Sequence, residues 1–254
     1  MLAEERRRKI TELVESRGGA TVKELSEEFG VALMTIRRDL EVLAEQGSVI
    51  KTHGGAFPPS RYTASEVPYV SKERAHLEEK RRIGRLAASM IKAGETILLD
   101  AGSTTLEVAR HLTNQDRLTV VTNDLKIALE LAHRPDITLV DTGGIVQKTV
   151  YTLVGPQTEA FLRGLHVDTA FIGADAVDLE AGITNRTLQE VPVKQAMMQA
   201  AERVYLVADS HKFGRRVFAA VAPLTGFHAI VTDSSLPHQI VESLRELGIA
   251  IHLA

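Results

Sequence analysis

The chain of 254 residues contains no cysteine, so it can form no disulfide, no thiol redox centre and no zinc–thiolate site. It also lacks any apolar run near the ~18 residues of a membrane-spanning helix, and no apolar segment follows its basic start. Its nine histidines include neither an i, i+4 pair nor a His-Glu-x-x-His pattern. These absences predict a cytoplasmic protein that contacts no membrane, needs no cofactor and binds no metal.

The chain has no excess of positive charge, since its formal net charge is −3. This overall charge by itself does not favour nucleic-acid binding. Basic residues are nevertheless clustered locally, in the run 6–9, in the pair Arg37-Arg38 and at Lys51. Such clusters can build a positive surface if the acidic residues of the same helices lie on the far side. The length suits one small and one medium domain, each with its own core.

The N-terminal part has the pattern of three short helices. Apolar residues recur at helical spacing in three segments, 4–17, 22–29 and 34–46. Thr21, followed three residues later by Glu24, predicts a capping box at the start of the second helix. A four-residue turn then leads into the third helix, which is the arrangement of a helix-turn-helix.

The third helix places apolar residues on one face and Met34, Arg37 and Arg38 on the other. Two adjacent arginines on an exposed face can reach phosphates and guanine edges, although the pair is also compatible with an ordinary solvated face. A β-branched strand over 48–52 follows, and His53-Gly54-Gly55 is expected to supply the positive-φ residues of a tight hairpin. The whole predicts a winged helix-turn-helix whose third helix enters the major groove of DNA.

Domain boundaries follow from the prolines and from a change in pattern. Pro58-Pro59 breaks regular structure, and a basic helix is predicted over 72–92. We therefore predict a winged helix-turn-helix DNA-binding domain over 1–57, a linker over 58–75, and an α/β domain over 76–254.

The second domain alternates short β-branched runs with helical segments, which predicts an α/β fold with a largely parallel sheet. The predicted strands are 96–100, 118–122, 137–141, 169–172, 204–208, 230–232 and 249–252. In such sheets ligands bind beyond the carboxyl ends of the strands. Small polar residues follow five of the predicted strands, so we expect a site at this edge.

The sequence Asp100-Ala101-Gly102-Ser103-Thr104-Thr105 leaves the first of these strands and opens a helix. Gly102 lets the backbone turn closely, and the N–H groups of the first helical turn, with three hydroxyls, form a cradle suited to phosphate. Serine and threonine also cap helices in ordinary loops, so capping alone is the alternative.

The N-terminal motifs resemble those of DeoR-family bacterial transcription regulators. The matching pieces are residues 35–40, Gly47 and the sequence His53-Gly54-Gly55-Ala56. Ala32 stands where the family usually has serine, so we expect weaker capping of the third helix. The resemblance implies contacts to an operator in double-stranded DNA. The expected DNA-contacting residues are Thr21, Met34, Thr35, Arg37, Arg38, Lys51 and His53.

The second half also resembles that family, whose sensor domain is similar to ribose-5-phosphate isomerase and binds phosphorylated sugars or related metabolites. By that resemblance Ser103, Thr104 and Thr105 would hold the phosphate, with Lys80 as a nearby cation, although Lys80 also lies in a plain charge run. The expected effector-binding residues are Lys80, Asp100, Gly102, Ser103, Thr104, Thr105, Thr122, Asn123, Gly144, Asp175, Glu190, Lys194 and Lys212. His211 replaces the family's more usual serine.

Two readings of the second domain follow, a sensor and a working isomerase. Aldose–ketose isomerisation requires an acid/base set, and the isomerase motif has one acid before and one after its Gly-Ala. Here Ile172 takes the first position and only Asp175 remains. The missing acid predicts that the chain is no enzyme. The resemblance implies instead a repressor of carbohydrate genes, controlled by a phosphorylated sugar that binds in an effector-sensing and oligomerisation domain over 76–254. The resemblance also implies a homodimer or homotetramer.

Overall fold

The computed structural model describes residues 2–17, 19–51, 54–57, 66–113 and 117–254, and the chain divides into two compact units, 1–63 and 64–254. Among the described residues no helix is both long and apolar enough to cross a membrane. Each unit has hydrophobic core residues of its own, so the units are treated in turn.

The first unit is a winged helix-turn-helix, as the sequence predicts. Its elements are α1 (Ala3–Arg17), β1 (Ala20–Thr21), α2 (Val22–Phe29), α3 (Leu33–Glu45), β2 (Ile50–Lys51) and β3 (Gly55–Phe57). The apolar residues at helical spacing, among them Ile10, Leu25, Ile36 and Leu40, are fully buried in one core. The three strands form an antiparallel sheet in the order β1-β3-β2.

Local caps set the start and end of α2. Thr21 Oγ1 accepts the Glu24 N–H at 3.1 Å, and Glu24 Oε2 accepts the Thr21 N–H at 2.7 Å, which confirms the capping box. The helix ends at Gly30, whose φ of 62° is left-handed. At the start of α3, Ala32 makes no side-chain capping bond, as expected for alanine.

Gly55 has a different role from the one predicted. We expected it to supply a positive φ, but its φ is not in that region. Instead β3 also pairs with β1, a strand that the sequence analysis missed, and a Cβ on Gly55 would lie 2.2 Å from the Ala20 carbonyl oxygen. Gly55 is needed for this close approach of two strands. Thr52 and His53 lie outside the described residues.

The second unit is an α/β domain built on a seven-stranded sheet, in the order β15-β14-β12-β9-β4-β5-β6, with all pairs parallel. The strands are β4 (Thr96–Leu99), β5 (Leu118–Thr122), β6 (Ile137–Asp141), β9 (Val167–Ile172), β12 (Ala201–Val207), β14 (Ala229–Thr232) and β15 (Ala250–Leu253). This confirms the predicted fold class.

Helices cover both faces of the sheet, because neighbouring residues of one strand enter different cores. Ile97 packs with Ile83 on one side, whereas Leu98 packs with Met197 on the other. The helices are α4 (Tyr69–Arg74), α5 (Leu77–Ser89), α6 (Ser103–Arg110), α7 (Leu125–Leu131), α8 (Pro156–Arg163), α9 (Val191–Ala200) and α10 (His238–Glu246).

Five short strands extend this domain. They are β7 (Ile145–Gln147), which pairs with β8 (Thr152–Val154), and β10 (Ala176–Asp178), β11 (Gly182–Asn185) and β13 (Ala219–Ala222), which form an antiparallel sheet. Their lengths of three and four residues explain why periodicity did not reveal them.

The basic segment 72–92 is two helices, not the single helix predicted. It breaks at Ala75 and His76, and His76 has the left-handed φ of 53°. The first of the two, α4, lies within the predicted linker, where Tyr69 is buried and its N–H donates to the Thr149 carbonyl at 3.0 Å. The segment 66–76 is therefore packed onto the second unit.

Candidate functional sites

The turn after β4 has the hydrogen-bonding capacity of an anion cradle. Thr105 Oγ1 donates to the Gly102 carbonyl at 2.8 Å, and the Gly102 N–H donates to Asp124 Oδ2 at 3.0 Å. The backbone N–H groups of Ser103, Thr104 and Thr105 have no acceptor among the described residues. These three groups open the first turn of α6 and are free to bind an anion.

Asp124 fixes the shape of this turn. It is fully buried, and its Oδ1 accepts the Lys126 N–H at 2.7 Å, so the same carboxylate caps α7 and holds Gly102. Burial raises the pKa of Asp124 to about 6, although the N–H donors of Lys126, Ile127 and Gly102 oppose that rise.

Lys194 and Asp100 form a buried ion pair at the carboxyl edge of the sheet. Asp100 Oδ2 also accepts the Gly173 N–H at 2.9 Å, and Lys194 Nζ donates to the Gly173 carbonyl at 3.0 Å. Burial lowers the pKa of Lys194, but the carboxylates of Asp100 and Glu190 outweigh it and raise the pKa overall. This cluster ties β4, β9 and α9 together.

Two carboxylates, Asp175 and Glu190, face the same cavity. Asp175 Oδ2 accepts the Arg186 N–H at 3.1 Å, and Glu190 Oε2 accepts from Asn185 Nδ2 at 2.7 Å. Burial raises the pKa of Glu190 to about 7, with Lys194 opposing. Asp175 behaves differently, because Lys72 and Lys212 outweigh its burial and hold its pKa well below the usual range.

Lys72 is a cavity residue that the sequence analysis missed. Its Nζ lies 2.9 Å from Asp175 Oδ1 and 2.5 Å from Glu66 Oε1, and its carbonyl accepts from Ser103 Oγ at 3.3 Å. Burial lowers the pKa of Lys72, but these carboxylates reverse the effect and raise it. The sequence signal is no more than a basic residue in a segment that is predicted to be the linker.

Lys80, by contrast, holds the segment 66–76 in place through hydrogen bonds to its backbone. Its Nζ donates to the carbonyl of Lys72 and, at 2.6 Å, to that of Ala75. Burial, with the nearby Lys212, lowers the pKa of Lys80 to about 8. Lys80 is thus engaged with backbone carbonyls in this structure, not with the cavity.

Lys212 forms no ion pair with any residue that the structure describes. Within the described part of the chain it also makes no side-chain hydrogen bond, although it lines the cavity. Burial lowers the pKa of Lys212, which Asp209 and Asp175 oppose at longer range. The cavity has a volume of about 50 Å³. It is lined by Lys72, residues 101–105, residues 173–175, Asn185, Glu190, Lys194 and Lys212.

Five predicted effector residues are not among the described residues that line this cavity. Two of them are Lys80 and Asp100, whose contacts are given above, and the others are Thr122, Asn123 and Gly144. Thr122 Oγ1 donates to the Leu99 carbonyl at 2.8 Å, and Asn123 Nδ2 donates to the Leu153 carbonyl at 3.2 Å. A Cβ on Gly144 would lie 2.1 Å from Thr158 Oγ1. In this structure the side chains of Thr122 and Asn123 hold neighbouring segments in place, and the missing side chain of Gly144 leaves room for Thr158.

On the first unit, α3 presents the surface predicted to contact DNA. Met34 is 63% exposed, Arg37 and Arg38 are also exposed, and Thr35 is half-buried. Neither arginine forms a salt bridge with any residue that the structure describes. Their charge is therefore available to an anionic partner.

Three other basic residues of the predicted positive clusters form ion pairs within this unit. Arg6 Nε lies 2.6 Å from Asp39 Oδ2 and Arg7 Nε lies 3.3 Å from Asp39 Oδ1, so these two arginines tie α1 to α3. Lys51 Nζ lies 2.6 Å from Glu41 Oε1. Thr21 serves as a cap, and His53 lies outside the described residues.

Family models match both units of the chain. Residues 75–234 match the DeoR C terminal sensor domain, and residues 6–61 match the DeoR-like helix-turn-helix domain. The chain belongs to the DeoR family of transcriptional regulators.

Curated relatives resemble this DeoR-family regulator over nearly its whole length. The HTH-type transcriptional regulator GlpR of Haloferax volcanii is 37% identical over 99% of the chain and 98% of the relative. The glycerol-3-phosphate regulon repressor of Escherichia coli K12 is 32% identical over 96% of each chain. The putative aga operon transcriptional repressor of Escherichia coli O157:H7 is 32% identical over 98% of the chain and 93% of the relative.

Solved structures are more distant. Ribose 5-phosphate isomerase A of Methanocaldococcus jannaschii is 19% identical over 55% of each chain, with a TM-score of 0.41. Translation initiation factor eIF-2B of Pyrococcus horikoshii is 16% identical over 90% of this chain and 86% of that chain, with a TM-score of 0.47. Similarities at this level do not bear on function.

Proposed function

We propose that this DeoR-family regulator is a transcriptional repressor whose second unit binds a phosphorylated sugar or polyol. The observation that carries the proposal is a convergence on one cavity. Lys212 and the three N–H groups of residues 103–105 all lie there, and none of them has a partner among the described residues. A cation, free backbone donors and hydroxyls together are the chemistry that binds a phosphate group.

The carboxylates of the cavity suit the other end of such a ligand. Asp175 and Glu190 can accept hydrogen bonds from hydroxyl groups, whereas they would repel a second phosphate. A ligand with one phosphate and several hydroxyls therefore fits the donor and acceptor arrangement. The names of two relatives, a glycerol-3-phosphate regulon repressor and a putative aga operon transcriptional repressor, support this chemical class.

Entry of such a ligand requires a rearrangement. The cavity of about 50 Å³ is far below the roughly 300–1,000 Å³ of ordinary ligand pockets. Lys72 lines the cavity and fills part of its space, and the Lys72 backbone carbonyl accepts the hydrogen bond of the Ser103 hydroxyl. We expect the ligand phosphate to replace that carbonyl as the acceptor of the Ser103 hydroxyl. We also expect Lys72 Nζ to leave Asp175 and to pair with the phosphate.

This exchange offers a route from the ligand to DNA affinity. Lys72 belongs to the segment 66–76, which follows the first unit in the chain, so a ligand that repositions the segment can change how the winged helices are presented. The change in the free energy of DNA binding is set by the difference in ligand affinity between two states of the protein, one with the segment 66–76 in its present position and one with the segment moved. We expect two or more copies of the chain to bind repeated half-sites, with Arg37 and Arg38 contacting phosphates or bases.

Isomerase activity is not part of this proposal. Ile172 stands where the isomerase motif has its first acid, and Asp175 is held in an ion pair with Lys72. A pocket with this composition can bind a phosphosugar but lacks half of the acid/base set needed to move a proton between carbons.

The test is thermal unfolding of the full chain with a panel of phosphorylated sugars and polyols, their unphosphorylated parents and inorganic phosphate. A ligand that binds the native state raises the melting temperature in a concentration-dependent way. We expect a phosphorylated compound to do so, and Ser103→Ala combined with Thr104→Val to abolish the shift. Thr138→Val, at an exposed strand position, serves as the control.

DNA binding is measured in parallel, by anisotropy of a labelled operator fragment with and without the same compound. Stabilisation that persists unchanged in the Ser103/Thr104 variant contradicts the cradle. Absence of any shift with the whole panel contradicts the sugar-phosphate proposal.

A further inference from the structure

Two histidines and an aspartate from distant parts of the chain meet beside the start of α5. Each of His76, Asp209 and His211 offers one ligand atom, and these atoms all lie within 4.8 Å of one another. His76 precedes α5, whereas Asp209 and His211 follow β12. Sequence spacing could not reveal this cluster, because only the fold brings the two segments together.

Asp209 has bonding capacity that nothing among the described residues uses. It is fully buried, and its Oδ1 accepts the His211 N–H at 3.2 Å and lies 3.5 Å from His211 Nδ1. Its Oδ2 is buried and has no hydrogen-bond partner within the described chain. A buried carboxylate oxygen without a partner is costly, so this atom points to a further ligand at the cluster.

The imidazole rings of His76 and His211 are stacked face to face. Their ring centroids are 3.6 Å apart and their planes differ by 18°. Parallel rings cannot both direct a nitrogen at one ion, so a rotation of one ring about its Cβ–Cγ bond is needed. His211 is 47% exposed at its side chain and has room for that rotation.

We propose that His76, Asp209 and His211 bind a divalent transition metal ion that prefers imidazole, such as Zn²⁺, with water completing its coordination. Two imidazole nitrogens and one carboxylate oxygen are a common three-ligand set for such ions. Lys80 and Lys212 also lie near Asp209. Their charges disfavour Mg²⁺ or Ca²⁺, which depend on several oxygen ligands, more than an ion held mainly by nitrogen.

A bound ion would tie the end of the segment 66–76 to the carboxyl end of β12. It would therefore stabilise the packed position of that segment, and so act as a second input to the regulator. The metal site itself does not depend on the proposed effector, because none of its three residues lines the described cavity.

The test uses the untagged full chain, titrated with Zn²⁺ and Co²⁺ and, for comparison, with Mg²⁺. We expect calorimetry to give one Zn²⁺ per chain, a rise in melting temperature with Zn²⁺ but not Mg²⁺, and visible Co²⁺ absorption from nitrogen coordination. His211→Ser and His76→Asn should each weaken Zn²⁺ binding by about tenfold or more. Asparagine is chosen because it tolerates the left-handed backbone of position 76.

His133→Gln, at an exposed position outside the cluster, is the matched control and should bind Zn²⁺ like the unaltered chain. The melting temperatures without metal show whether each variant is folded. Zn²⁺ affinity that survives in either cluster variant, or a failure of the unaltered chain to bind Zn²⁺ or Co²⁺, overturns the site.

Discussion

Lys72 Nζ lies 2.9 Å from Asp175 Oδ1, across 103 positions of sequence, and joins the segment 66–76 to the carboxyl edge of the sheet. The side chains of the two residues are 18% and 6% exposed. An ion pair with so little exposure is strongly destabilised when one partner is removed, because the other charge stays buried.

We therefore expect Lys72→Met to lower the free energy of unfolding by about 3 kcal/mol. Urea unfolding measures this change, and a double variant with Asp175→Asn should lose less than the sum of the two single variants. Simple additivity would mean that the two charges do not interact in solution. Lys92→Met, at an exposed helix-following position, controls for the loss of a lysine.

Removal of Lys212 should have the opposite effect on stability. Its half-buried ammonium forms no ion pair among the described residues, so Lys212→Met is expected to leave the free energy of unfolding unchanged or higher. Binding of the phosphorylated effector should nevertheless weaken about 10- to 100-fold, the value of a charge-assisted hydrogen bond. Calorimetric titration checks this; unaltered affinity would place the phosphate elsewhere.

Glu190 predicts how stability depends on pH. Burial raises its pKa from 4.5 to about 7, against the opposing charge of Lys194 and Lys72 and with support from Asp175 and Glu66. The native state therefore holds this proton more tightly than the unfolded state, so stability falls as pH rises from about 4.5 to about 7.

The ionisation of Glu190 should lower the free energy of unfolding by up to about 3 kcal/mol over this pH range, and Glu190→Gln should remove that loss. Urea unfolding across the same pH range measures it. Glu246→Gln, at an exposed helix position, is the control. The same ionisation adds negative charge to the cavity, so effector binding should weaken above pH 7 in the unaltered chain but not in Glu190→Gln. A steeper pH dependence in the variant would contradict this assignment.

The elements that the sequence predicts well are those fixed by near neighbours. Thr21 and Glu24 are three residues apart, and their capping box could be read directly. The parallel strands follow from runs of apolar β-branched residues, because both faces of such strands are buried. The turn at 102–105 is also local, since Gly102 and the hydroxyls adjoin in sequence.

The elements that the sequence does not predict depend on contacts over long distances. Lys72 was placed in a linker because nothing nearby indicates its partner Asp175. The break at His76 was missed because a non-glycine residue there adopts a left-handed φ. The sequence predicts that Lys80 faces the ligand, whereas in the structure its Nζ donates to the carbonyls of Lys72 and Ala75. Each case needs the packing of two segments, which composition and periodicity do not encode.

The surface of α3 predicts how DNA affinity responds to charge. Arg37 and Arg38 are free of salt bridges within the described residues, so replacement of either by alanine should cost about 1–3 kcal/mol of binding if it contacts a base. If it contacts phosphate, the slope of log affinity against log salt should fall by about 1. Arg8→Ala is the control, because Arg8 is exposed and lies 3.8 Å from Glu12.

Glu41→Gln should act in the other direction. The change releases Lys51, whose Nζ lies 2.6 Å from Glu41 Oε1, and removes a negative charge from the exposed face of α3. Anisotropy titrations of an operator fragment at several salt concentrations should show tighter binding and a steeper salt dependence. Weaker binding of Glu41→Gln would mean that this carboxylate itself takes part in recognition.

The caps of α2 and α3 give a matched pair of stability predictions. Ala32 precedes α3 in an extended conformation, with φ of −60° and ψ of 147°, and provides no side-chain acceptor for the free N–H groups. Ala32→Ser should supply one and raise the free energy of unfolding of the first unit by about 1 kcal/mol. Thr21→Ala removes an existing cap and should lower it by a similar amount.

Urea unfolding followed by circular dichroism measures both changes, and the backbone geometry of each position already suits a capping residue. Because a serine hydroxyl at the start of α3 can also reach a phosphate, Ala32→Ser should bind DNA at least as tightly as the unaltered chain. A destabilised Ala32→Ser variant would show that the turn before α3 excludes the hydroxyl. In that case packing requires an alanine at position 32, and α3 has no side-chain cap for that reason.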